Sequence, residues 1–234
     1  MIVAFILGAF CADRQSHVAS HKGPDPLKAV ARLFNGDKTD DGFLQRMSKS
    51  EAEKTFGAAL KATKADTSGF LVASFALAMR GVDMDANVSR ICAPLKDAAG
   101  QIESIAPSGG LEKDQILPED IPTALYEIYK VRHFQPALKA LFTTPIDGAV
   151  AESRDDDVMD AVSRTPADVL RLAAQDAAIY SKLWDIIDWN IGPASDRQAL
   201  IKRLKAGHWP SPEIRHTATH LANDLRQPKH RTDR

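Results

Sequence analysis

The sequence predicts an all-α protein, either a multi-helix bundle or a short solenoid-like stack of helical hairpins. Three observations predict it. Apolar residues recur with a period near 3.6 along most of the chain, helix-start signals precede those runs, and no segment alternates with period two long enough to form a strand. The reading gives about ten helices.

The chain opens MIVAFILGAFCA, residues 1–12, with no charged side chain until Asp13 and Arg14. An apolar run of this length suits the core of a secretory signal, which needs about 7 to 15 residues, and falls short of the roughly 17 that span a bilayer. Ala9 and Cys11 supply small residues at the −3 and −1 positions of a cleavage site before Ala12. The expected location is therefore secreted or periplasmic, within the cell envelope or beyond. If the segment is instead a buried core helix, the location is cytoplasmic. Cys11 as a lipidation site is disfavoured by the bulk of Phe10. With Cys11 removed, Cys92 is a lone thiol among apolar neighbours and reads as a small buried hydrophobe.

Residues 13–25 are polar and turn-rich and read as a linker. Leu27, Val30, Ala31 and Phe34 then lie at i, i+3, i+4 and i+7, one helical face. Ser50 with Glu53 forms a predicted capping box for the helix carrying Phe56, Ala59 and Leu60. The stretch FLVASFALAM, residues 70–79, is apolar save Ser74 and is expected to be the most buried helix. Asp83 or Asp85 can cap the next, which carries Val88, Ile91, Cys92 and Leu95, with Pro94 either kinking or restarting it. Asn87-Val88-Ser89 has the pattern of a glycosylation sequon, a three-residue match expected by chance.

Residues 106–118, APSGGLEKDQILP, have loop composition and mark a boundary between an N-terminal helical subdomain, 26–105, and a C-terminal one, 119–226. Ile121, Leu125, Ile128 and Tyr129 form the next face, and Leu138, Leu141 and Phe142 a shorter one after Pro136. Caps are read at Ser153 with Asp156, at Thr165 before Pro166, at Ser195 with Gln198, and at Ser211 before Pro212. The longest predicted helix covers residues 166–190, with Val169, Leu172, Ala173, Tyr180, Leu183, Trp184 and Ile187 as its stripe. Trp189 stands off that stripe and is assigned to contact with a neighbouring helix. Residues 227–234 read as a solvated, disordered tail.

The balance of 30 Lys and Arg against 31 Asp and Glu leaves a net charge of −1. No field of one sign is present to draw the chain to nucleic acid or to a membrane surface. No strong nucleic-acid signal and no transmembrane helix in the mature chain are found. Phosphate-binding glycine loops, a serine-nucleophile elbow, H-E-x-x-H and C-x-x-C are all absent, so no cofactor is expected.

Two clusters carry chemistry on paper. His216 and His220, in HTATH, stand at i and i+4 and can share one metal ion. At 100° per residue Ala218, Leu221 and Leu225 lie within about 40° of Ile214, while the two histidines lie about 200° and 240° away. The pair therefore faces outward, as either a chance pair or a weak metal site. In ESRDDDVMD, residues 152–160, acidic side chains are explained most simply as a helix cap meeting the macrodipole. A dispersed enzyme site would have to use Asp155, Asp156, His133, His216 and His220.

Residues 196–226, DRQALIKRLKAGHWPSPEIRHTATHLANDLR, resemble a single HEAT repeat. A first helix, a turn with Pro210 and Pro212, and a second helix bearing Ile214-Arg215, Ala218 and Leu221 match that family's pattern over about an eighth of the chain. The resemblance implies stacked helical hairpins and a protein-binding surface rather than catalytic residues. The expected function is an exported, non-enzymatic helical interaction or scaffold protein with a protein partner. The alternative is an enzyme with a dispersed or weak metal-dependent site using His216 and His220 or Asp155 and Asp156.

Overall fold

Asp25 starts the first helix, α1 (Pro26–Phe34), by accepting the Leu27 amide at 3.0 Å, with Pro26 in the first turn, where its missing N–H is no loss. The computed structural model describes residues 25–37, 41–96, 105–111, 116–145 and 148–227. Twelve helices occupy 77% of these, and no strand occurs among them. The protein is an all-α multi-helix bundle. Residues 1–12 and nearly all of the predicted linker and tail lie outside the described residues.

A short helix that the sequence reading did not mark, α2 (Asp41–Arg46), precedes α3 (Lys49–Ala62). The α3 capping box is made by Ser48 and Glu51, two residues ahead of the predicted pair. Ser48 Oγ accepts the Glu51 amide at 3.2 Å and Glu51 accepts the Ser48 amide at 2.7 Å. Two overlapping Ser-x-x-Glu patterns occur here, and the earlier one starts the helix. α4 (Ser68–Met79) is apolar around its circumference and buried from Leu71 through Met79, as expected of the central helix. α5 (Met84–Lys96) runs through Pro94 and buries Cys92. The sequon side chain, Asn87, is buried, donating to Val82 O at 2.9 Å and accepting from Arg90 at 2.7 Å.

Part of the predicted boundary loop, residues 105–111, is stitched onto the start of α4. Thr67 makes no cap of its own there. Instead Ser108 Oγ accepts the Gly69 amide at 3.0 Å, and Ala106 O accepts the Ser68 amide at 3.0 Å. These bonds satisfy N–H groups that a helix start leaves unpaired. Gly69 permits the approach, since a Cβ there would lie 2.8 Å from Ser108 Oγ.

The chain continues as α6 (Asp120–Arg132), α7 (Gln135–Thr143) and α8 (Gly148–Arg164). α1, α4 and α5 all pack on α6, so a single apolar cluster joins the residues on either side of 106–118. α8 begins five residues before Ser153, which places that serine and Asp156 inside a helix. The predicted cap does not exist, and the carboxylates of 152–160 are spread around α8.

The predicted long helix of 166–190 is two: α9 (Pro166–Gln175) and α10 (Ala177–Asn190). Asp176 between them is extended, φ −146° and ψ 112°, and its carboxylate accepts the amides of Ala178 and Ile179 at 2.9 and 3.4 Å. An aspartate offering a ready N-cap ends one helix and begins the next. Trp189, expected to contact a neighbouring helix, stands 64% exposed near the end of α10. The last pair, α11 (Ala194–Ala206) and α12 (Pro212–Asp224), pack on each other, and α12 also lies on α9. No helix among the described residues is long and apolar enough to cross a membrane.

Candidate functional site

The site is built where the break at Asp176 brings the start of α10 against the outer edge of α12. Ser211 caps α12 by accepting the Ile214 amide at 3.3 Å, with Pro212 following as the first helical residue. Ile214, Thr217, Ala218, Leu221 and Ala222 then fall on the buried side, and the helical period leaves His216 and His220 exposed, as the sequence predicts. Tyr180, one turn into α10, reaches across to this edge.

Tyr180 Oη lies 2.5 Å from His220 Nδ1 and 2.6 Å from Asp224 Oδ2, and the histidine and aspartate atoms are 3.1 Å apart. With Asp224 ionised, one arrangement of protons satisfies all three contacts. An ionised carboxylate only accepts, so the phenol donates its single proton to Asp224. The phenol oxygen must then accept from His220, which puts the imidazole hydrogen on Nδ1. Burial, reinforced by the Asp224 charge, pushes the Tyr180 phenol well above its ordinary range and keeps that proton in place. In neutral His220 the remaining nitrogen, Nε2, carries a lone pair and has no hydrogen-bond partner among the described residues.

The Tyr180 and His220 rings meet edge-on with centroids 5.1 Å apart, which fixes the imidazole plane as well as its tautomer. The His216 ring lies 6.4 Å from that of His220. Both histidines line a shallow groove of about 260 Å³ together with Ala173, Ala174 and Ala177. A second hollow of about 530 Å³ shares Ala174 and Gln175 with it and extends to Ser211 and Glu213. Together they form a trough between the end of α9 and the exposed side of α12.

The other candidates from the sequence are elsewhere. Asp155 is clasped by its neighbour Arg154, whose Nε and Nη2 both donate to it, and it accepts from Asn190 at 3.1 Å. Asp156 is exposed. His133 closes α6 in the left-handed conformation, φ 50°, with its ring edge-on to Tyr129. No hydrogen bond, ion pair or ring contact joins any of these to the histidine pair. Among the described residues no three His, Cys, Asp or Glu side chains are grouped to hold a metal ion.

No family model, curated protein or solved structure matches this chain.

Two participants escaped the sequence reading. Asp224 stands four residues after His220, and that i, i+4 spacing was the available signal. Tyr180 does lie on the apolar stripe, partly buried against the core, but the reach of its hydroxyl to His220 and Asp224 has no signal in the sequence. A further carboxyl, Asp157, lies between α8 and α6 and accepts from Thr123 Oγ1 at 3.2 Å. Burial pushes it up to about 7, with Thr123 and Lys130 opposing and Glu127 and Asp156 adding to the rise.

Proposed function

We propose that this chain is a non-enzymatic helical interaction module whose partner, a protein, lies in the trough between α9, α10 and α12. The observation that carries the reading is the trough itself: an open channel lined by Ala173, Ala174 and Ala177 together with Tyr180, His216, His220 and Gln175. Such a surface suits a protruding helix or loop better than an enclosed small substrate. The apolar segment 1–12 supports export of the module to the cell envelope or beyond. The HEAT-like pattern of 196–226 fits the same reading, with α11 and α12 as a stacked hairpin that contributes one wall.

A photo-cross-linking residue at exposed Ala174, compared with one at exposed Lys54 on α3, tests it in the native host. One defined protein adduct is expected from position 174 and none from position 54. The purified partner should then bind wild type at least about tenfold more tightly than Ala174→Glu, since a charge buried without a partner at an interface is strongly unfavourable. Equal adducts from both positions, or affinity unchanged by Ala174→Glu, would overturn the proposal.

A further inference from the structure

We infer that His216 and His220 bind one divalent transition-metal ion of the zinc class through their Nε2 atoms, with Asp224 and Tyr180 acting as positioning residues. The inference starts from the proton arrangement around His220. A histidine that ligates a metal almost always gives its other ring N–H to a carboxylate, a carbonyl or water, which fixes the tautomer and raises the basicity of the ligating nitrogen. His220 has this arrangement already: Nδ1 faces Tyr180 and Asp224, and Nε2, with no hydrogen-bond partner among the described residues, belongs to a side chain that lines the groove.

The second donor is one helical turn away. His216 makes no hydrogen bond or ion pair among the described residues, and its ring is tilted 41° to that of His220 with centroids 6.4 Å apart. Zinc–nitrogen bonds of about 2.1 Å bring two such centroids to roughly 5 Å. The difference of about 1 Å is met by rotating the exposed His216 side chain while His220 stays held. The remaining coordination positions belong to water, because no third protein donor adjoins the pair among the described residues. Imidazole donors suit zinc, nickel and copper over magnesium or calcium, which take oxygen ligands. Two donors with one preorganised place the affinity in the micromolar class.

The experiment titrates ZnCl2 into the full chain by calorimetry, with CoCl2 absorption reporting the coordination sphere. One ion per chain is expected, with micromolar Kd. His216→Ala and His220→Ala should each weaken binding at least tenfold. Asp224→Asn should weaken it about 10- to 100-fold, the range seen when such a supporting carboxylate is removed. Nitrogen-15 NMR should show His220 protonated on Nδ1 in wild type and a loss of that preference in Asp224→Asn, a change that a merely structural role for Asp224 would not produce.

The sequence also contains His17 and His21 at the same spacing. The variant carrying His17→Ala and His21→Ala must therefore retain the ion. If binding disappears in that variant, or survives in His216→Ala with His220→Ala, the inference is wrong. Absence of zinc binding in wild type overturns it equally. Loss of zinc binding leaves the cross-link from Ala174 in place, so the two proposals fail separately.

Discussion

Replacing Asp157 by asparagine should stabilise the protein at pH 8 and leave it nearly unchanged at pH 4. Asp157 sits on α8 against α6, where burial pushes its carboxyl from the usual 3.8 up to about 7. Thr123 donates to it, Lys130 stands as the nearby cation, and Glu127 and Asp156 add like charge. Between about pH 4 and pH 7 the folded chain holds this proton and the unfolded chain does not. Folding stability therefore falls as pH rises through that window and levels off above it.

At about 1.4 kcal/mol per pH unit the full rise corresponds to at most about 4 kcal/mol, and partial solvent access leaves on the order of 1 to 3. Asparagine has the shape of the protonated acid and keeps an oxygen for the Thr123 hydroxyl, so it removes only the charging penalty. Urea unfolding of both proteins at pH 4, 6 and 8 measures the difference. It should grow from near zero to about 1 to 3 kcal/mol in favour of the variant. A difference independent of pH, or a variant less stable at pH 8, would refute the argument that Asp157 is held protonated by burial.

Two further perturbations test the packing and the helix break. Leu183→Ala, at a fully buried position of α10, should cost about 2 to 5 kcal/mol in denaturant unfolding, and a loss below 1 would mean that the site collapses around the cavity. Asp176→Ala removes the acceptor for the Ala178 and Ile179 amides and should cost about 0.5 to 2 kcal/mol. Because Asp176 also sets where α10 starts, the same variant should broaden or shift the Tyr180 and His220 resonances, and unchanged spectra would sever the break from the site.

The helices were legible because their signals are local. The face of Leu27, Val30, Ala31 and Phe34, the apolar run of residues 70–79 broken only by Ser74, and the Ser211-Pro212 start each specify a helix within a few residues. The outward direction of His216 and His220 followed from angle counting alone. What was hidden depends on choice between competing local options or on distance in the chain. Asp176 reads equally as a solvent-facing residue in one long helix or as the cap between two, and only the packing of α9 and α10 decides. The Ser153 cap was plausible locally but lost to a helix that had already begun at Gly148. The contact of Tyr180 with His220 and Asp224 bridges about forty residues, and no pattern in either segment announces the other.

The most direct test of the trough as the working surface is residue-by-residue NMR mapping of the bound protein partner. Amide shifts should concentrate at residues 173–180 and 210–220, with the His216 and His220 rings among the most affected. Shifts centred instead on the exposed Trp189 or Val131, with 173–180 unmoved, would contradict the account.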